Sequence, residues 1–304
     1  MQVEWTPEGR SPIRLDQDPR WRLLRLGGHG APDTQLQSLS TPARNERLVL
    51  HAVAQPRIIT LTCRIHGATP AAFQANRATL AGAFAPWPHN GSRARPGVLT
   101  VTLPDGGLRA LRALPREGLA WPSGSQHGDA TVDTLVLEAP DPFWYDPVPL
   151  TGQTSLGDPG NLRFNATDEL AFPAGFGSEL PSASVTVTNP GGVRSFPVFT
   201  VPGPALNPAF RHGATGHLVA FNLTVPQGLT LEVTHGAQPD ASALAPTATL
   251  IDDLGGRTNI LAALRPGARF WALAPGDNTV VFTADQAPDL PTVGHRFFRR
   301  HVAI

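Results

Sequence analysis

Residues 57–65 read RIITLTCRI, which puts Ile59, Leu61, Cys63 and Ile65 on one side of an extended chain and Ile58, Thr60, Thr62 and Arg64 on the other. A period of two suits a strand with one buried face, and Cys63 on the apolar side is read as a packed core thiol. The alternation returns in GVLTVTLPDGGLRALRAL (97–114), two runs around PDGG, whose Asp-Gly supplies the positive φ of a tight hairpin turn. ATVDTLVLEAP (130–140) follows as another strand.

Further along, SASVTVTNPGGVRSFPVFTVPGP (182–204) reads as a hairpin-like pair about NPGG. GHLVAFNLTVPQGLTLEVTHG (216–236) is a pair about PQG, and GARFWALAPGDNTVVFTA (267–284) a pair with PGDN as its turn. Turn signals at such regular spacing are the sequence form of a β-sandwich or jelly roll. One segment departs from the pattern. ATPAAFQANRATLAGAFAPWP (68–88) offers Thr69 as N-cap and Pro70 at the first helical position, with Phe73, Leu80, Ala81 and Phe84 on one stripe and Pro86 and Pro88 to end it. It predicts the chain's one helix, packed by that stripe on a sheet.

At 304 residues the chain exceeds the ~100–200 residues of a usual single domain. Pro and Gly, 32 and 30 residues, stay below the share typical of disordered sequence, and 41% of residues are hydrophobic, so the reading is globular, turn-rich and mainly β. Residues 148–181 show little periodicity and much Gly, Pro and Asp, which predicts a linker or crossover between a first domain, 1–147, and a second, 182–304.

All 24 basic residues are Arg, against 24 acids. Before residue 148 there are 15 Arg and 13 acids, after it 9 and 11, so neither part has the field that nucleic-acid or anionic-membrane binding needs. One cysteine excludes a disulfide within the chain. No signal-peptide core or long apolar run is present, which predicts a chain that stays in an aqueous compartment, with no membrane insertion.

The stretch APDPFWYDP (139–147) sets the only Tyr and one of the six Trp among three prolines. Prolines remove ladder donors and force extended geometry, so the segment is rigid and its aromatics must bury elsewhere. Phe143, Trp144 and Tyr145 each cover roughly 150–250 Å² when buried. Pro142, Phe143, Trp144 and Tyr145 are therefore read as a stiff interdomain junction.

The order LVLEAPDPFWYDP, LAFPAGF, VTNPGGVRSFPVFTVPG, NPAF and FWALAPGDNTVVF, preceded by RIITLTCRIHG, the single helix and PDGGLRALRAL, resembles the distal tail proteins of siphophages, a phage tail component family. The resemblance spans nearly the whole chain. It implies two β domains: an N-terminal ring-forming β-sandwich or barrel and a C-terminal galectin-like β-sandwich. It implies a virion structural protein of the tail tip or baseplate, made in the host cytoplasm. Six copies would form a ring that joins the tail tube protein to the tip or hub protein, with the tape measure protein as a further partner and DNA passing through the lumen.

No enzyme is expected. Asp252 and Asp253 in LIDDLGG are adjacent, so on a strand they would face opposite ways and cannot flank one glycosidic bond. The 10 His include no metal-ligand spacing, GGHG lacks the strand and helix of a phosphate loop, and no Ser stands in a nucleophile elbow. No catalytic residue, metal or cofactor is assigned. The alternative is a lectin-like host-recognition protein with Trp271 as the sugar platform. In RFWALAPG, alternation sets Phe270 and Trp271 on opposite sides, so one of them is core and either can be.

Overall fold

A computed structural model describes residues 1–40, 47–85, 96–119, 129–155, 182–240, 245–287 and 291–304. The chain divides into two compact units, Met1–Pro147 with Arg300–Ile304, and Val148–Arg299.

The first unit is built of β1 (Gln2–Thr6), β2 (Ile13–Arg14), β3 (Trp21–Gly27), β4 (Thr34–Ser40), β5 (Arg47–Ala54), β6 (Arg57–His66), α1 (Pro70–Ala83), β7 (Gly97–Thr102), β8 (Leu108–Glu117), β9 (Ala130–Ala139) and β10 (Trp144–Tyr145). One sheet runs β2-β1-β7-β8-β9-β6-β3. Its two ends curl toward each other at Leu15, whose N–H donates to Val3 O (2.8 Å) and whose O accepts from Leu23 N (2.7 Å). No closed ladder forms among the described residues. β6 buries Ile59, Leu61, Cys63 and Ile65, as its alternation requires. The β7–β8 turn has Gly106 at φ +84°, with Asp105 Oδ1 accepting from Gly107 N at 2.9 Å.

The helix starts where its cap places it: Thr69 Oγ1 accepts from Ala72 N at 3.1 Å and Pro70 is the first helical residue. Phe73, Leu80 and Phe84 enter the core. Ala81, expected on the same stripe, is half-buried, and Pro86 and Pro88 lie outside the described residues. Trp5 joins helix and sheet, stacking on Phe84 at 5.0 Å and donating Nε1–H to Ala83 O at 2.9 Å. Gly97 lies under that indole, where a Cβ would come within 2.3 Å of it.

The second unit contains β11 (Leu150–Ser155), β12 (Ser182–Asn189), β13 (Val198–Pro202), β14 (Ala205–Leu206), β15 (Ala209–His212), β16 (Leu218–Ala220), β17 (Thr224–Val225), β18 (Thr230–Thr234), β19 (Thr247–Ile251), β20 (Arg257–Asn259), β21 (Gly276–Thr283) and β22 (Thr292–Phe297). A six-stranded sheet β11-β22-β13-β18-β19-β20 and a four-stranded sheet β12-β21-β15-β16 bury one shared core. Phe199 of the first stacks on Phe210 of the second at 4.8 Å, so the unit is a β-sandwich.

The three expected hairpins of this unit are corrected. β12 pairs with β21 while β13 pairs with β18 and β22, so the NPGG turn connects strands of different sheets. β17 pairs with β14 and not with β18 across the PQG turn. Residues 267–274 form only an isolated bridge, Ser195 to Leu273, ahead of β21. Alternation shows which side of a strand is buried, and in a sandwich the neighbour in sequence often lies in the other layer. The linker reading is corrected at Leu150–Ser155, which is a strand along β22, while 156–181 lie outside the described residues. Residues 300–304, read as part of the second domain, belong to the first unit.

Candidate functional site

The aromatic segment is built into the first unit. Trp144 is fully buried in its core and Tyr145 is buried beside it. The segment pairs antiparallel with the chain's last strand, Arg300–His301, Trp144 opposite His301 and Tyr145 opposite Arg300. The two flanking aspartates anchor it. Asp141 binds the Arg300 guanidinium, and Asp146 Oδ1 accepts from Arg109 Nη1 and lies against His301 Nε2, both at 2.8 Å. Arg300 also lies over the Phe143 ring at 4.9 Å.

Sequence reasoning missed the centre of this arrangement, Arg57. Its guanidinium is buried and, among the described residues, donates only to backbone carbonyls: Pro142 O at 2.5 Å, Gly28 O at 2.8 Å, Gly30 O, and Val302 O at 2.6 Å. Desolvation lowers its pKa. Three otherwise separate segments are thereby held by one cation, and Trp144 lies under it at 5.9 Å. An arginine at the start of a strand gives no sign in sequence that it will turn inward.

β4 and β5 form a two-stranded ribbon of their own. Leu36, Leu39, Leu48, Val49, Leu50 and Val53 on it are 46–60% exposed. Leu39 stands opposite Leu48, and Leu36 opposite Ala52. Thr34–Ser40 and Leu48–Gln55 contain no Asp, Glu, Lys or Arg. An isolated ribbon is at best marginal in water, and edges are normally guarded by charges or prolines.

Trp271, the candidate sugar platform, is only 5% exposed, inside the sandwich core. It contacts His235 at 4.4 Å, His212 at 4.9 Å and Phe199 at 5.5 Å between ring centroids. The expectation of an exposed platform at this residue is corrected: of the pair 270/271, the indole packs inward. The motifs around it are organised by two buried asparagines. Asn189 accepts from Gly191 N and donates to Val193 O, shaping NPGG. Asn278 accepts from Ala274 N and donates to Gly276 O, both at 2.8 Å, shaping APGDN.

His235 is buried among aromatic rings, with Trp271 N donating to its Nδ1. Burial, with His212 nearby, pushes its pKa down to about 3. The unfolded chain takes up this proton near pH ~6.5 and the folded chain does not, so stability is undiminished above that pH and falls as pH drops toward 3. The slope is about 1.4 kcal/mol per pH unit. Urea denaturation at pH 7 and pH 4.5 should therefore show a loss on the order of 3 kcal/mol from this residue, and His235→Gln should flatten the pH dependence. An unchanged profile in the variant would refute the assignment.

Asp252 caps its own turn, accepting from Leu254 N and Gly256 N. Cys63 is buried and its pKa is raised to about 12 by desolvation, with Asp133 adding to it, so its thiol stays protonated. Among the described residues no group of three or more His, Cys, Asp or Glu is placed to hold a metal, and no helix is long and apolar enough to cross a membrane.

No protein-family model matches the chain, and no curated protein matches its sequence. Solved structures do match its fold. The baseplate of phage P2 in its activated conformation with calcium contains a chain that aligns at a TM-score of 0.56 and 7% identity, covering 100% of this chain and 99% of that one. The same baseplate with strontium gives the same values. The Dit protein of phage SPP1, described as a paradigm of the hub adsorption apparatus in phages that infect Gram-positive bacteria, aligns at a TM-score of 0.63 and 14% identity over 98% of both chains. In fold, across both units, this chain is similar to the SPP1 Dit hub protein.

Proposed function

We propose that the chain is a structural component of a bacteriophage tail tip, a distal tail protein that assembles as a six-membered ring between the tail tube and the hub or baseplate, with DNA passing through the lumen. The observation that carries this reading is the fold likeness to SPP1 Dit over 98% of both chains. The ring would use the β4–β5 ribbon. Its seven paired positions at ~3.3 Å make it roughly 23 Å long, so two faces about 10 Å wide offer roughly 500 Å² per copy. With an equal area on the receiving copy the contact reaches about 1,000 Å², where specific interfaces begin. A ribbon given by each copy and received by the next is a head-to-tail contact, the kind that closes rings. The proline-bound segment Pro142–Tyr145 is proposed as the stiff junction where the chain leaves the first unit.

Native mass measurement of the full chain tests the ring. We expect a multiple of six for the wild type and single protomers for Leu39→Glu with Leu48→Lys, with circular dichroism unchanged because these side chains are 57% and 60% exposed and the new charges, directly opposite in the ladder, attract. A wild-type protomer in solution would count against the ring, and a variant that stays hexameric would clear the ribbon of this role.

A further inference from the structure

The outward face of the first unit's sheet carries guanidinium groups that no described residue neutralises, and a β-bulge puts one of them there. Arg22 on β3 and Arg64 on β6 are direct cross-strand partners, and both are exposed. Residues three apart on a regular strand face opposite sides, yet Arg25 is exposed as well. The register shifts between Leu23 and Arg25, so Leu24 is the extra residue and Arg25 returns to the side of Arg22, opposite Thr62. Trp21 and Leu26 remain buried on the core side.

Neighbouring charges on this face have partners of their own, Glu117 with Arg116 at 3.4 Å among them. Arg20, beside His66, extends the row but is held by Asp18 at 2.8 Å. Glu138 shares the outward face two strand positions beyond Thr60 and is bound by Arg116 at 3.2 Å. Among the described residues no ion pair or side-chain hydrogen bond involves Arg22, Arg25 or Arg64. Like charges directly opposite in a ladder are destabilising.

We infer that this face docks an extended acidic segment of a partner protein, with Asp or Glu at alternate positions. Alternate side chains of an extended segment recur every ~6.6–6.8 Å on one side, the repeat that the arginines of a strand present, and guanidinium groups bind carboxylates in bidentate fashion. Leu24 and Val132, the latter opposite Arg64, flank the row at 52% and 56% exposure. Arginine set among exposed apolar side chains is the composition of a protein–protein contact. Duplex DNA is the less suitable occupant, because its binders neutralise on the order of six to ten phosphates and three free arginines fall short. The inference does not rest on the ring.

Fluorescence anisotropy with the full chain tests it, using a short labelled peptide alternating Glu and Thr, its Gln-for-Glu counterpart, and a short DNA duplex. The acidic peptide should bind and weaken with added salt, the Gln peptide should not bind, and Arg22→Gln with Arg64→Gln should weaken binding roughly tenfold. The variant should melt no lower than wild type, since a repulsive pair is removed. Equal behaviour of the two peptides, or an unaffected variant, overturns the proposal. Duplex binding that exceeds peptide binding and is lost in the same variant overturns it in favour of nucleic acid.

Discussion

Trp144→Ala should lower the stability of the first unit by about 3–5 kcal/mol, the range for truncating a large buried aromatic. Several features hold the cavity open. The indole is 0% exposed, the carbonyl of Pro142 is fixed by Arg57 at 2.5 Å, and the backbone of 144–145 is paired to Arg300–His301, so little of the surroundings can move into the vacancy. A small compensation runs the other way: Trp144 Nε1 is buried without a hydrogen-bond partner among the described residues, and its removal relieves that cost. Trp144→Phe keeps much of the contact and loses the unpaired N–H, so it should cost clearly less than Ala. Urea denaturation read by circular dichroism checks both variants. A Trp144→Ala protein as stable as wild type would show that the ring contributes little to packing, as an exposed glycan platform would.

Deleting Arg300–Ile304 should destabilise the same unit by on the order of 4 kcal/mol, although these residues are the last in the chain. The deletion removes the Val302 carbonyl from the buried Arg57 guanidinium, and a buried cation that loses a partner retains its desolvation cost. It removes the strand that covers Trp144 and the contacts of Arg300 with Asp141 and of His301 with Asp146. The Arg300–Asp141 ion pair and the His301–Asp146 hydrogen bond are partly exposed and add little by themselves. Calorimetry should show one transition lowered and a second, from Val148–Arg299, unchanged. Two unchanged transitions would mean that the C-terminal return contributes nothing to the first unit. Because the second unit is inserted between Pro147 and Arg300, a fragment ending at residue 147 would carry the same defect as the deletion.

The elements legible from the sequence alone were those whose causes are local. β6, β9 and the β7–β8 hairpin follow from period-two alternation and an Asp-Gly turn, and the helix follows from a Thr69 cap, Pro70 and an apolar stripe, all within reach of one short window. What the tertiary structure decided was pairing over distance. Alternation says that Val185 and Val187 share a face, but not that β12 will lie along β21, nearly a hundred residues on. It left Phe270 and Trp271 equivalent until Phe199 and His235 on the side of one sheet and His212 of the other buried the indole. The inward turn of Arg57 depended on carbonyls from three remote segments. The exposed ribbon was hidden because apolar and polar residues mix on both its faces. A chain's local preferences are written in neighbouring residues, whereas the partner of each face is selected by the free energy of the whole packed arrangement, which no single window contains.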